Sequence, residues 1–250
     1  ITPHDPFATD GLSHEAPFTN GYYFGTDQLG RDVLARIMLG ARDVLIAAPL
    51  AATIGVVSGA MLGLLMGYYR GILDDILGRL IEAFLVLPLT LVGLLALSAA
   101  PDDWSIIPGI ESSTQTVILV VGLLFTPIVA RTVRAAVLAE RENDYVQAAK
   151  LRGENGLYIM TREILPNVMS PIVVEFTVRI GYAIFAIATL SFLGVGIQEP
   201  TPDWGLMIAQ EYRLVIGGYW WVTVFPALAI ASLVIAVNLI ADRLQEVMEL

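Results

Sequence analysis

The sequence predicts an all-α, polytopic membrane protein, and three observations carry that prediction. Hydrophobic residues make up 56% of the chain and the mean hydropathy is +0.71. Charged residues are only 15%, against roughly 25% in an ordinary soluble domain. The apolar residues also come in unbroken blocks of roughly 20, the length needed to cross a hydrocarbon core of about 30 Å. Such blocks imply helices, which satisfy their own backbone hydrogen bonds in lipid.

Taken in order, residues 1–43 contain Pro3, Pro6, Pro17, Gly11, Gly21 and Gly25 and read as irregular chain. They end in a predicted helix over 29–43, with Val33/Ile37, Leu34/Met38 and Ala41/Leu45 paired at i, i+4. This helix is expected on the outer interface, either as a docking surface or as a lid bracing the spans. Spans follow near 44–69, 77–100, 116–133, 168–190 and 222–241. Gly55, Gly59, Gly63 and Gly67 line one face of the first, a spacing that predicts close helix packing. Glu82, near one end of the second, is three residues from Arg79 and predicted to pair with it. Trp204, Trp220 and Trp221 suit an aromatic belt at the outer interface. The chain opens ITPHDPFATD, with neither Met nor a basic-then-apolar leader. It is therefore expected to be the remainder of a longer product, with a sixth span missing at the N-terminus.

Orientation follows from Lys and Arg, which cytoplasmic loops retain. If 132–166 is cytoplasmic, that side holds Arg70, Arg79, Arg131, Arg134, Arg141, Lys150, Arg152, Arg162 and Arg243. The other side holds Arg31, Arg36, Arg42 and Arg213. Half of the 24 acids fall on that outer side and account for most of the net charge of −10. Nucleic acid is therefore not an expected partner. The absence of cysteine excludes disulfides, thiolate catalysis and Cys-based metal sites. His4 and His14 are the only histidines and lack a ligand spacing, so no metal site is expected. There is no Walker loop, Gly-x-Ser-x-Gly elbow or intramembrane Asp pair, and hence no catalyst in this chain.

The stretch DYVQAAKLRG, residues 144–153, is polar and helix-prone between two spans. Asp144 is expected to cap it, with Gln147 reaching back in a capping box, and Gly153 to end it in the left-handed conformation. Ala148 and Ala149 leave one side bare for a partner's backbone. The alternative is an amphipathic helix lying on the membrane, although Tyr145, Val146 and Leu151 form no broad apolar stripe. LYIMTREIL, after the GENG break, reads as a second short helix closed by Pro166.

Ala148-Ala149, Gly153 four residues on, and Ile164-Leu165-Pro166 resemble the Glu-Ala-Ala loop of ABC importer permeases, with Gln147 at the position of the family's Glu. FGTDQLGRDVLARIMLGAR (24–42), LPNVMSPIVVEFT (165–177), LSFLGVGIQEPTPDWG (190–205) and PALAIASLVIAVNLIADRL (226–244) are similar to stretches of the C-type permease subunits of dipeptide, oligopeptide and nickel importers. The resemblance implies a type I ABC importer transmembrane domain with six spans in the inner (cytoplasmic) membrane, here a permease domain over 44–250 with its coupling loop at 132–166. It implies a B-type permease partner, two cytoplasmic ATPases that hold ATP and Mg, and an extracytoplasmic binding protein delivering di- or oligopeptides. The chain itself is expected to carry no cofactor. Asp144, Tyr145, Gln147, Ala148, Ala149, Arg152, Gly153 and Glu154 would form the ATPase-coupling site. Nickel complexes or short oligosaccharides are alternative cargoes. An ATP-independent carrier or channel is a further alternative, but neither inverted repeats nor a chain of buried acids is apparent.

Glu175 and Arg179 stand at i, i+4 inside the fourth span, where a lone charge costs about 3 kcal/mol. They are expected either to pair structurally between spans or to face the translocation path.

Overall fold

The computed structural model describes residues 4–101 and 108–248. Part of the segment between the second and third expected spans thus lies outside the described residues. The helices are α1 (Val33–Tyr69), α2 (Ile72–Leu85), α3 (Leu89–Ser98), α4 (Ser112–Glu140), α5 (Asp144–Leu151), α6 (Gly156–Tyr158), α7 (Leu165–Asn167), α8 (Met169–Phe192), α9 (Trp204–Glu211) and α10 (Trp221–Met248). Among the described residues α1, α4, α8 and α10 are each long and apolar enough to cross a membrane.

The second expected span is not one helix: α2 and α3 meet at 91°. Pro88 supplies the reason, because it lacks an N–H and pushes Leu87 out of the helical region. The first span differs in the opposite sense. Asp32 caps α1 by accepting from the amides of Leu34 and Ala35 at 2.8 and 3.3 Å. From there the helix runs without a break for 37 residues. The helix expected over 29–43 is therefore the beginning of α1, which rises about 55 Å and exceeds the bilayer core.

The four-residue glycine repeat explains what α1 packs on. A Cβ at Gly55 would meet Phe125 and the Gly122 carbonyl; at Gly59, Val129 and the Thr126 carbonyl; at Gly63, the Ala130 carbonyl and Val133; at Gly67, Val137. These approaches are 2.6 to 2.9 Å, so the two parallel helices touch backbone to side chain along four turns. Gly122 returns the contact against Ile54 and the Ala51 carbonyl. Apolar side chains of α8 and α10, including Ile184, Ile187 and Val222, close the core on this pair.

At the first end of α1 the segment expected to be irregular is a folded cap. Gly25 and Gly30 have φ of +74° and +75°, and a Cβ at Gly30 would lie 2.1 Å from the Gly11 carbonyl. Asp27 pairs with Arg31 at 2.6 Å, and Arg31 reaches Glu199 at 3.1 Å. The His14 ring lies 3.0 Å from Glu211, whose other oxygen accepts from the Gln28 amide at 2.9 Å. Burial pushes the Glu199 carboxyl upward, but donation by Gln210 and Arg31 outweighs it and holds it below its ordinary range. The belt assigned to three tryptophans is corrected here. Trp204 and Trp221 are buried, donating to the carbonyls of Ile37 at 3.0 Å and Thr26 at 3.2 Å; only Trp220 is exposed. Their indole N–H groups serve better as internal donors to these loop and helix carbonyls than as anchors in headgroups.

Gly59→Val forces side-chain atoms into Val129 and should lower stability by about 1–3 kcal/mol. Gly78→Ala, whose nearest neighbour is a Met66 methyl at 3.9 Å, should be tolerated. Unfolding midpoints in detergent distinguish the two. Asp203 caps α9 through the Leu206 amide, and burial raises its carboxyl to about 6. Since the folded value lies above the unfolded one, its contribution is full below about pH 4 and is lost as pH rises through 6. Asp203→Asn should therefore raise the midpoint at pH 8 and leave it unchanged at pH 4.

Candidate functional site

The far end of α1 meets the loop that joins α4 to α8. Helix α5 begins after Asn143, not Asp144, and no side chain caps it. The expected capping box is absent because Gln147 Nε2 instead donates to the Arg141 carbonyl at 2.9 Å, one turn further back. Asn143 is turned away to Glu140. The expected C-terminus forms in full: Gly153 has φ +79°, its amide donates to the Lys150 carbonyl, and the Glu154 amide donates to Ala149. That is a complete Schellman motif, with its left-handed residue a glycine.

The loop is braced on its inner side. Val146, Ala149, Ile159 and Ile164 are all fully buried and pack with Leu64, Val133 and Val137 of α1 and α4. Ala149 is thus part of this chain's own core and not of a bare outer face, which corrects the pairing of Ala148 with Ala149. One residue's rotation on a helix is about 100°, so adjacent alanines cannot share a face. Tyr145 hydrogen-bonds Glu140 and, at 3.3 Å, the Glu163 carbonyl, and accepts from Asn167 at 3.0 Å. Burial and the Glu140 bond push its phenol up to about 12, so it remains a neutral donor. Arg152 is held by Glu163 at 3.2 Å and lies 3.7 Å from Glu154. The second short helix is three joined segments, α6, a wider π-helical turn Ile159–Ile164 and α7, with Pro166 inside the last.

What remains outward is Asp144, Ala148 and the Gly153 turn, with Leu151 at 90% and Leu157 at 67% exposure. Asp144, Ala148 and Leu151 share one face at i, i+4 and i+7. Leu151 is the residue the stripe argument undervalued, because a single leucine makes no amphipathic pattern.

Within the membrane Glu175 and Arg179 form the expected pair. Arg179 Nη2 lies 2.7 Å and Nε 2.8 Å from Glu175 Oε2, and Thr132 of α4 donates to Oε1 at 2.9 Å. The guanidinium stacks near the rings of Phe125 and Tyr182 at 5.8 and 5.2 Å. Arg79 and Glu82 form no ion pair; the charge contact at that level is Arg134 with Asp74, bidentate with one arm at 2.7 Å. No cluster of three or more metal-ligating side chains occurs among the described residues. His4 and His14 are each committed to an acid.

Arg179→Ala leaves Glu175 charged in a low dielectric and should cost about 3–5 kcal/mol of stability. Combining it with Glu175→Ala should recover part of the loss, a coupling of about 1–3 kcal/mol in a double-mutant cycle of detergent unfolding.

Residues 59–249 match the family described as the binding-protein-dependent transport system inner membrane component. A Brucella suis protein named as a putative peptide transport system permease is 37% identical over all of this chain and 80% of its own length. The dipeptide transport system permease DppC of Haemophilus influenzae is 36% identical over 91% of this chain and 74% of its own. The glutathione transport system permease GsiD of Escherichia coli is 37% identical over all of this chain and 79% of its own. A methionine ABC transporter structure, MetNI in an inward-facing conformation, superposes with TM-score 0.65 at 17% identity, over 85% of this chain and 95% of that chain. The match to the family across most of the chain, the relatives aligned over nearly all of it and the shared fold agree: the chain belongs to the binding-protein-dependent transport system inner membrane components and is a multi-pass permease subunit of an ABC importer.

Proposed function

We propose that this subunit imports di- or oligopeptides across the inner membrane, with the 141–168 loop on the cytoplasmic side and α5 docked in a groove of an ATPase. The relatives' names support the peptide cargo. The observation that carries the docking is Leu151: a leucine 90% exposed on a helix whose Tyr145, Val146 and Ala149 are buried or half-buried in its own chain, leaving only the small Ala148 exposed beside it. An isolated, rigidly held apolar knob is what a partner's pocket would receive. A second permease would complete the path, and an extracytoplasmic binding protein would load the face bearing the cap. ATP and Mg would be held by the ATPases, so that this chain acts only by transmitting their closure.

Within that scheme Asp144, Ala148, Gly153 and Leu151 form the contact surface. Tyr145, Gln147, Ala149, Arg152 and Glu154 hold that surface in place. Glu175 and Arg179 are best read as a lock between α4 and α8 rather than as cargo ligands, because both oxygens of Glu175 are already partnered.

The experiment is Leu151→Asp in the complete transporter. Exposed in the subunit, the change should leave the unfolding midpoint within about 0.5 kcal/mol of native. It should release the ATPases and abolish peptide uptake. Unaltered ATPase binding and uptake would refute the docking surface. Gly153→Val, strained by roughly 1–2 kcal/mol at its positive φ, should damage uptake in the same way by re-aiming the helix exit.

A further inference from the structure

Besides the Tyr145–Glu140 hydrogen bond, a second polar joint ties the coupling helix to the transmembrane bundle, and that joint was not legible as a site. Arg141 follows the last residue of α4. Its Nη1 donates to the carbonyls of Gly67 and Tyr68 at 3.2 and 2.7 Å. These belong to the last turn of α1, where carbonyls lack partners within the helix and a cation is favoured by the helix dipole. The carbonyl of the same residue accepts from Gln147 of α5. One residue therefore closes the end of α4, caps the end of α1 and holds the coupling helix. Its side chain is only 18% exposed.

Around the joint the packing is close. Gly67 lies against Val137, and a Cβ at Gly156 would approach the Tyr68 ring and the Tyr69 hydroxyl at 2.9 Å. At its opposite end α1 carries Arg36, 1% exposed, within 3.8 Å of Asp27 and 3.7 Å of Glu199 in the cap. A single continuous helix thus connects the polar joint beneath it to the charged cap above it.

We propose that Arg141 is a positioning residue that transmits displacement of the coupling helix to α1, and through α1 to the outer cap. The proposal rests on α5 being the ATPase contact. Gln147 pulls on the backbone of Arg141, and the guanidinium carries that shift to the carbonyls of Gly67 and Tyr68. The geometry requires a donor at the α1 terminus and a fixed link to α5, and Arg141 supplies both. Coupling of this kind is a free energy shared by two sites, so removing the joint should change the response of one site to the other more than the activity of either.

The test uses the complete transporter in proteoliposomes with its ATPases, partner permease and peptide-loaded binding protein. Arg141→Gln should keep the ATPases bound and basal ATP hydrolysis within about twofold, since Leu151 and Ala148 are untouched. Stimulation by the loaded binding protein should fall about fivefold or more, with uptake lost. Arg141→Lys, which can still donate to the Tyr68 carbonyl, should restore part of the stimulation. Full stimulation in Arg141→Gln would overturn the proposal. So would a parallel fall of basal and stimulated rates together with the unfolding midpoint, which is the signature of a purely structural role. Leu151→Asp separates the two readings. If that variant keeps its ATPases and its stimulation, the docking assignment has failed; if it loses them while Arg141→Gln stays fully stimulated, only the relay has failed.

Discussion

The structure depends on how closely α1 approaches α4. Water cannot drive helices together inside lipid, so association there rests on contact between atoms and on satisfied polar groups. Gly55, Gly59, Gly63 and Gly67 remove the side chains that would hold the axes apart, and Phe125, Val129, Val133 and Val137 fill the space. Because the repeat is matched turn for turn, it fixes register as well as distance. The loop at one end of this pair and the cap at the other are both built against the two helices it aligns.

Charge is distributed by the same logic. At the cap, Asp27, Arg31, Glu199, Glu211 and His14 connect segments far apart in sequence, where the surrounding loops supply further donors. Within the bundle Glu175 is paired with Arg179, and at the bundle end nearer the α4–α8 loop Asp74 is paired with Arg134. The signatures that identify the family are largely structural in this light. Gly25 and Gly30 permit the tight cap, Asp32 begins α1, and Ser191 Oγ accepts from the Ile197 amide in the turn after α8. Their chemistry builds the outer face; no reacting group is among them.

The α4–α8 loop divides its residues by face. Its inward side is a small apolar core closed by Tyr145 and Arg152, its outward side a short helix with an exposed leucine. As the ATPase contact proposed for it, α5 would need rigidity more than area, because a displacement absorbed by the loop would never reach the spans. The Schellman turn at Gly153 and the Arg141 joint bracket α5 and provide that rigidity from its two ends.

By itself the sequence determined the class of protein, four of the spans, the glycine face of α1, the left-handed stop at Gly153 and the Glu175–Arg179 pair. Each of these is local: hydrophobic length, a four-residue period, one backbone conformation or one i, i+4 contact. Tertiary structure decided the rest, since the competing partners were distant. Asp32 rather than residue 29 starts α1, because a cap acts on the amides two and three residues on, wherever the apolar pattern begins. Trp204 and Trp221 turn inward because the carbonyls of Ile37 and Thr26 await them, 167 and 195 residues away in sequence. Ala149 is core and Ala148 is surface for the same reason. A helix face acquires its meaning only from what packs against it, and for α5 that was the Ile159–Ile164 turn and the apolar cluster it shares with α1 and α4.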